Sequence, residues 1–282
     1  MSDSEFRLSF EFFPPKTDAG REKLVNVRNQ LATFEPTFFS MTYGAGGSTR
    51  DNTKGLVTQF NQEGYATAPH LSFGGDTEES ITQLIEEYKV ANVNRIVALR
   101  GDMPSGMGGA SQMVYASELV AFIRQRFDQH FHLEVAAYPE IHPEAKSYDS
   151  DIQYLKAKLD AGANSAITQY FFNPDAFFYF MHQCEKVGID KPIYPGIMPI
   201  INVQNLVRFS KACGAEVPRW LQKALESYGD DQASMQAFAI DVVTELCDVL
   251  LENGVPGLHF YTMNQLEPTK TIVENLGLTV DA

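Results

Sequence analysis

Residues 8–15 read LSFEFFPP, and the fold is decided by how this stretch is read. A short run of aromatic and aliphatic side chains marks a buried β-strand. Pro14 and Pro15 end it, because proline has no N–H to give to a ladder. Inside the run sits Glu11, flanked by Ser9, Phe10, Phe12 and Phe13. An ionised carboxylate is costly to bury, so such a group takes up a proton or finds a partner. A carboxyl with a raised pKa is a useful general acid near neutrality, and that is the expectation for Glu11. A glutamate facing solvent from an edge strand is the plain alternative.

Working outward, strand-like segments recur at 38–43, 66–71, 95–99, 133–138, 166–171, 193–197 and 258–261, making eight with the first. Amphipathic helix patterns separate almost all of them. The clearest begins with Asp76 and Glu79 as a capping-box-like start and carries Ile81, Leu84, Ile85 and Tyr88 on one face. Strict alternation of strand and helix argues for parallel pairing, and eight such units close naturally into a (β/α)₈ TIM barrel. An open doubly wound sheet is the runner-up, but no GxGxxG follows any strand and no GxxxxGK[ST] occurs. With no Pro/Gly/Ser linker inside the chain, residues 1–282 read as one α/β catalytic domain.

Lys and Arg total 22 against 36 Asp and Glu, a net charge of −14 that repels phosphate backbones and disfavours nucleic acid as a partner. No apolar run reaches the eighteen or so residues of a membrane helix. The start, MSDSEFR, lacks the features of a secretory signal. Cys184, Cys213 and Cys247 are widely spaced and suggest neither a disulfide framework nor a zinc site. The cytoplasm is the expected compartment.

In such a barrel the reactive groups sit at the C-terminal strand ends. Those positions carry Glu11, Thr42, Tyr43, His70, Arg100, Asp102, Tyr138, Glu140, His142, Gln169, Asn202, Tyr261 and Asn264. The opposite ends carry ordinary loop residues such as Glu35, Asn94 and Gly162. That asymmetry points to an enzyme or a ligand site. Gly101, within the Arg100–Asp102 triplet, lets the main chain approach a flat ligand closely. Asp151, Tyr154 and Lys158 share one helix face, from which Lys158 could reach a phosphate or a ribityl hydroxyl. Glu140 with His142 matches no standard metal spacing, and His130 and His132 lie at the wrong end, so no metal is expected. A metal-assisted hydrolase using His70, Asp102 and His142 is the alternative from a different class.

FEFFPP at 10–15, TYGAGG at 42–47, APHL at 68–71, ALRGD at 98–102, AAYPEIHPEA at 136–145, DAGAN at 160–164, ITQYFF at 167–172, PGIMP at 195–199 and HFYTMN at 259–264 together closely resemble the methylenetetrahydrofolate reductase family in its compact bacterial form. The resemblance runs from about Leu8 to Leu278. It implies a barrel that binds FAD without a Rossmann fingerprint, against Tyr43, Ala45, His70, Leu99, Arg100, Gly101 and Asp102. Ala116, Tyr138, His142, Ala145, Asp151, Tyr154 and Lys158 would complete that contact. It implies reduction of 5,10-methylenetetrahydrofolate to 5-methyltetrahydrofolate by NADH or NADPH, in two half-reactions through reduced flavin, feeding methionine synthesis. Glu11 would be the acid that opens the methylene bridge. Asp102 would bind the pterin and tune the flavin, with Gln169 on the pterin, Thr42 assisting NAD(P)H and Phe209 stacking on either substrate. Asn205 and Gln265 stand where some relatives carry Gln and Arg, which bears on recognition of the folate tail. Bacterial relatives form homotetramers, so a homo-oligomer is expected. The lack of a clear arginine pair for a 2′-phosphate leans towards NADH.

Overall fold

A computed structural model describes residues 6–43, 50–73, 76–100 and 115–278. The strands are β1 (Arg7–Phe12), β2 (Phe38–Met41), β3 (Thr67–Leu71), β4 (Arg95–Ala98), β5 (His132–Ala137), β6 (Ser165–Thr168), β7 (Ile193–Tyr194), β8 (Gly196–Ile197) and β9 (Gly257–Tyr261). The helices are α1 (Asp18–Leu31), α2 (Arg50–Gln62), α3 (Glu78–Val90), α4 (Ala116–Phe127), α5 (Tyr148–Asp160), α6 (Pro174–Lys186), α7 (Val203–Cys213), α8 (Arg219–Ser227), α9 (Gln232–Glu252) and α10 (Thr269–Asn275).

All the pairings are parallel, in the order β7-β6-β5-β4-β3-β2-β1-β9-β8. The expected seventh strand is two pieces, broken at Pro195, whose nitrogen has no hydrogen to donate. One piece pairs with β6 and the other with β9, so the break is also where the ring closes. The architecture is the expected (β/α)₈ barrel. The start of α3 differs from expectation. Thr77, not Asp76, caps the helix by accepting from Ser80 N at 3.2 Å, while Asp76 is held by Arg50 at 2.7 Å.

The pleat sorts each strand into two faces. On β1, Leu8, Phe10 and Phe12 join the main apolar core shared with the helices. Arg7, Ser9 and Glu11 alternate with them and point the other way, into the barrel. A small apolar cluster of Phe38, Ala68, Val97 and Ile167 fills the barrel centre. At its N-terminal end lies an ion cluster that the reading of the loops as ordinary did not anticipate. Glu134 of β5, fully buried, meets Arg7 at 2.8 Å, His132 at 3.1 Å and Arg95, and accepts from Ser165 Oγ at 2.6 Å. The Arg7 guanidinium lies 3.6 Å from the centre of the Tyr194 ring and 4.8 Å from that of Phe38, which substitutes ring faces for some of its lost water.

Burial alone would raise the Glu134 pKa, but the arginines and His132 outweigh it and hold the carboxyl well below the ordinary range. A group depressed in the folded state contributes stability above its unfolded pKa, and that share fades as pH falls below about 4.3. Glu134→Gln strands two buried guanidiniums together. Urea unfolding at pH 7 is expected to show a loss of roughly 3–5 kcal/mol, shrinking as the pH is lowered. A loss under 1 kcal/mol would mean the cluster is not a structural plug.

Candidate active site

Glu11 sits one residue before the end of β1, in register with Ser40 on one side and Tyr261 on the other. Its Oε2 lies 3.2 Å from His70 Nε2, delivered by β3, and 3.6 Å from His259 Nε2, delivered by β9. Neither ring nitrogen makes an aligned hydrogen bond to the carboxylate, so these are close polar contacts between nearly buried groups. Below them His259 Nδ1 lies 2.8 Å from Ser9 Oγ. If the serine donates, Nδ1 is the acceptor and the imidazole proton sits on Nε2, facing the carboxylate.

The expected raised pKa of Glu11 is corrected here. Burial does push the carboxyl up, but His70 by its charge and both histidines by their contacts pull it down further, to about 2. The phenylalanines that surround Glu11 in sequence occupy the opposite face of the strand and do not set its environment. Burial pushes His259 down in spite of Glu11, which favours its neutral form. His259 was missed as a site residue, although its place in β9, two residues before Tyr261, was a usable signal.

Beside this cluster, Tyr261 is held by donating to Thr168 O at 2.7 Å. Gly196 makes room for it, since a Cβ there would meet Thr168 O at 2.1 Å and the Tyr261 ring at 2.6 Å. Next along, a cleft of about 210 Å³ opens between Tyr170, Met198–Asn202, α7 and the loop after β9. The helical spacing of Asn205, Leu206 and Phe209 turns all three into it, and Gln265 lines its other wall. Thus Asn205, Phe209 and Gln265, far apart in sequence, share one cavity. Lys23 of α1 donates to Gln265 Oε1 at 2.9 Å. Gln169 folds back to accept from Tyr170 N at 3.0 Å.

The remaining expected residues gather around the β2, β4 and β5 ends. Thr42 N donates to Phe12 O at 2.8 Å, which ties the β2 end to β1. Arg100 pairs with Glu144 across two loops, and Leu99 packs on the central apolar cluster. The Tyr138 and His142 rings meet edge to face at 4.5 Å, and Asp151 accepts from His142 N at 2.8 Å. Lys158 donates to Ala136 O at the end of β5, and burial, opposed by Asp151, pushes its pKa down to about 8. Ala145 N closes a turn on His142 O at 2.9 Å, Ala116 begins α4 and is buried, and Tyr154 is exposed. The Tyr43 hydroxyl is buried, beside Asp76, and makes no aligned hydrogen bond among the described residues. Ala45, Gly101 and Asp102 lie outside the described residues. Among the described residues no three His, Cys, Asp or Glu side chains could hold a metal ion, and no helix is long and apolar enough to cross a membrane.

A carboxylate–histidine cluster thus lies beside a cleft at the strand C-termini of a (β/α)₈ barrel, the end where enzymes of this fold place their reactive groups. The family described as "Methylenetetrahydrofolate reductase" matches residues 1–277. The 5,10-methylenetetrahydrofolate reductase of Escherichia coli K12 is 36% identical over 97% of this chain and 92% of that enzyme, and the Buchnera aphidicola protein of the same name is 36% identical over 98% and 94%. Methylenetetrahydrofolate reductase (NADH) 1 of Arabidopsis thaliana is 38% identical over 96% of this chain but 48% of its own length. An uncharacterized Clostridium thermocellum protein that binds two copies of 5-methyl-5,6,7,8-tetrahydrofolic acid shares the fold, with a TM-score of 0.61 at 18% identity over 97% of this chain and 93% of that one. The chain belongs to the methylenetetrahydrofolate reductase family, a family of oxidoreductases of folate metabolism. None of these comparisons supports the hydrolase alternative.

The depressed Glu11 pKa depends on its histidines. In His70→Gln, burial is opposed only by His259, so the Glu11 midpoint should rise. Titration of the ¹³C-labelled carboxylate by NMR, with Glu11→Gln to assign the resonance, reads this directly. An unchanged midpoint would show that His70 does not hold the charge.

Proposed function

We propose that this protein reduces 5,10-methylenetetrahydrofolate to 5-methyltetrahydrofolate with NAD(P)H as donor and FAD as resident cofactor. The observation that carries the reading is the Glu11 carboxylate, placed between two histidines at the same barrel mouth as the cleft. The residues present fit a flavin dinucleotide. Among the described residues the buried Tyr43 hydroxyl makes no aligned hydrogen bond, and Lys158, partly buried and donating to a backbone carbonyl, can turn to a ribityl or phosphate oxygen. Arg100, with Glu144, would add a second cation for the diphosphate. Asp151 and His142 would take further hydroxyls. When bound, FAD would supply the redox chemistry that links NAD(P)H to the folate in two half-reactions.

The chain's own part is proton delivery and orientation. A hydride lands on the methylene carbon only after the bridge has opened to an iminium, and opening needs a proton on the departing nitrogen. Glu11 is ionised in the resting protein, so it acts with a partner. His70, whose Nε2 lies 3.2 Å from Glu11 Oε2, is placed to relay a proton to the carboxyl, which hands it on to the folate nitrogen. His259, neutral and fixed by Ser9, holds the carboxylate in line. Phe209 and Tyr170 offer ring faces to the flat substrate, Asn205 and Gln265 offer amides at the cleft wall, and Gln169 and Thr42 orient the pterin and the nicotinamide. Asp102 keeps the role that the resemblance implies, on the pterin and the flavin. Plant relatives named for NADH support that donor over NADPH.

Anaerobic stopped-flow measurement separates the two half-reactions. Glu11→Gln is expected to reduce bound flavin with NADH at close to the unsubstituted rate while folate-dependent reoxidation falls by about 10²–10⁴-fold. Equal loss of both half-reactions would make Glu11 a structural residue. A purified protein that takes up no flavin would overturn the functional reading.

A further inference from the structure

Beyond Phe12, β1 runs out of sheet neighbours, because Pro14 and Pro15 follow and neither has an N–H. Glu11 is therefore carried on a strand end that needs holding. On the β2 side Thr42 N donates to Phe12 O at 2.8 Å. On the β9 side the Glu11 carbonyl accepts from Thr262 twice, from Oγ1 at 2.6 Å and from N at 3.3 Å. The next residue is held by a side chain. Asn264 Oδ1 accepts from Phe13 N at 2.9 Å and Asn264 Nδ2 donates to Phe13 O at 2.8 Å. A primary amide carries the same donor and acceptor as a peptide group, so Asn264 stands in for the strand neighbour that β9 no longer supplies.

This reach has a backbone cost. Met263 and Asn264 are consecutive non-glycine residues in the left-handed region, with φ of 53° and 56°. Asparagine tolerates that region better than most residues, whereas methionine does not favour it, so the surrounding bonds must enforce the turn. The same turn sends Met263 and Gln265, the residues on either side of Asn264, into the wall of the cleft. One amide thus ties the strand end that carries the acid to the loop that shapes the cavity.

We infer that Asn264 is a positioning residue that holds the Glu11 strand end and the cleft wall in fixed relation, so that a substrate seated against Met263 and Gln265 meets the carboxyl at the correct depth. The inference deepens the proposed function and rests on it. The side chain acts through Phe13 and the loop, not on substrate.

Two variants separate the clamp from the turn. Asn264→Gly keeps a backbone free to adopt positive φ and removes both bonds to Phe13, and Asn264→Asp keeps the acceptor for Phe13 N–H and loses the donor. Hydrogen exchange of the Phe13 amide is expected to be slow in the unsubstituted protein, fast in the glycine variant and intermediate in the aspartate variant. Flavin reduction by NADH should stay within about twofold in both. Folate-dependent reoxidation should fall by about tenfold to a hundredfold in the glycine variant and less in the aspartate variant, as a small displacement of an acid from its target would cause. Unchanged reoxidation in the glycine variant despite fast Phe13 exchange would overturn the inference. Equal loss of both half-reactions with a lowered Tm would overturn it too, by making Asn264 merely structural. Absence of folate turnover in the unsubstituted protein would instead remove the functional reading and this role with it, while the Phe13 exchange would still report the clamp.

Discussion

A carboxylate inside a β-barrel keeps its charge only if something opposite is brought to it, and the chain satisfies that constraint twice. Glu134 and Glu11 both face the interior of the barrel, each in a strand that looks apolar by composition. Their partners differ. Glu134 is met by two arginines, which do not give up protons at any ordinary pH, as well as by His132, so fixed charge dominates that cluster and it serves as a floor. Glu11 is met instead by two imidazoles, at 3.2 and 3.6 Å, which unlike guanidinium can both donate and accept a proton. The apolar layer of Phe38, Ala68, Val97 and Ile167 keeps the two apart.

The broken seventh strand bears on the site as well. Pro195 interrupts the ladder between β7 and β8, and Gly196 beside it leaves the space into which Tyr261 crosses to reach Thr168. A side chain at that position would push Tyr261 towards His259, whose ring it already meets at 5.2 Å. The cleft, the tyrosine and the acid cluster are therefore neighbours because one strand lacks both a side chain and a donor where the barrel closes.

Much of this was legible in the sequence. Alternation of apolar runs with amphipathic helices was enough for the barrel, and the polar residues read at the strand ends do gather beside the cleft. Asn205, Phe209 and Gln265 share one cleft. What failed was the environment of Glu11. FEFF looks like an apolar pocket when read linearly, but the two-residue period of a strand turns Phe10 and Phe12 away from Glu11. Its true neighbours are contributed by β3 and β9, which no local window contains. The ion cluster was hidden for the same reason: Arg7, Arg95, His132 and Glu134 look ordinary one at a time and matter only once registered across β1, β4 and β5. The cap of α3 shows a smaller limit, since Asp76 and Thr77 are both good caps and the choice between them turned on Arg50.

The seam between β1 and β9 joins the first described strand to the last, with Glu11 opposite Tyr261 and Ser9 opposite His259. During synthesis, a nascent polypeptide that has already emerged as far as α9 still lacks its innermost histidine and the loop that pins Phe13. Until β9 docks, the first strand offers an open edge and an incompletely matched carboxylate. The surroundings of Glu11 are therefore complete only in the closed ring.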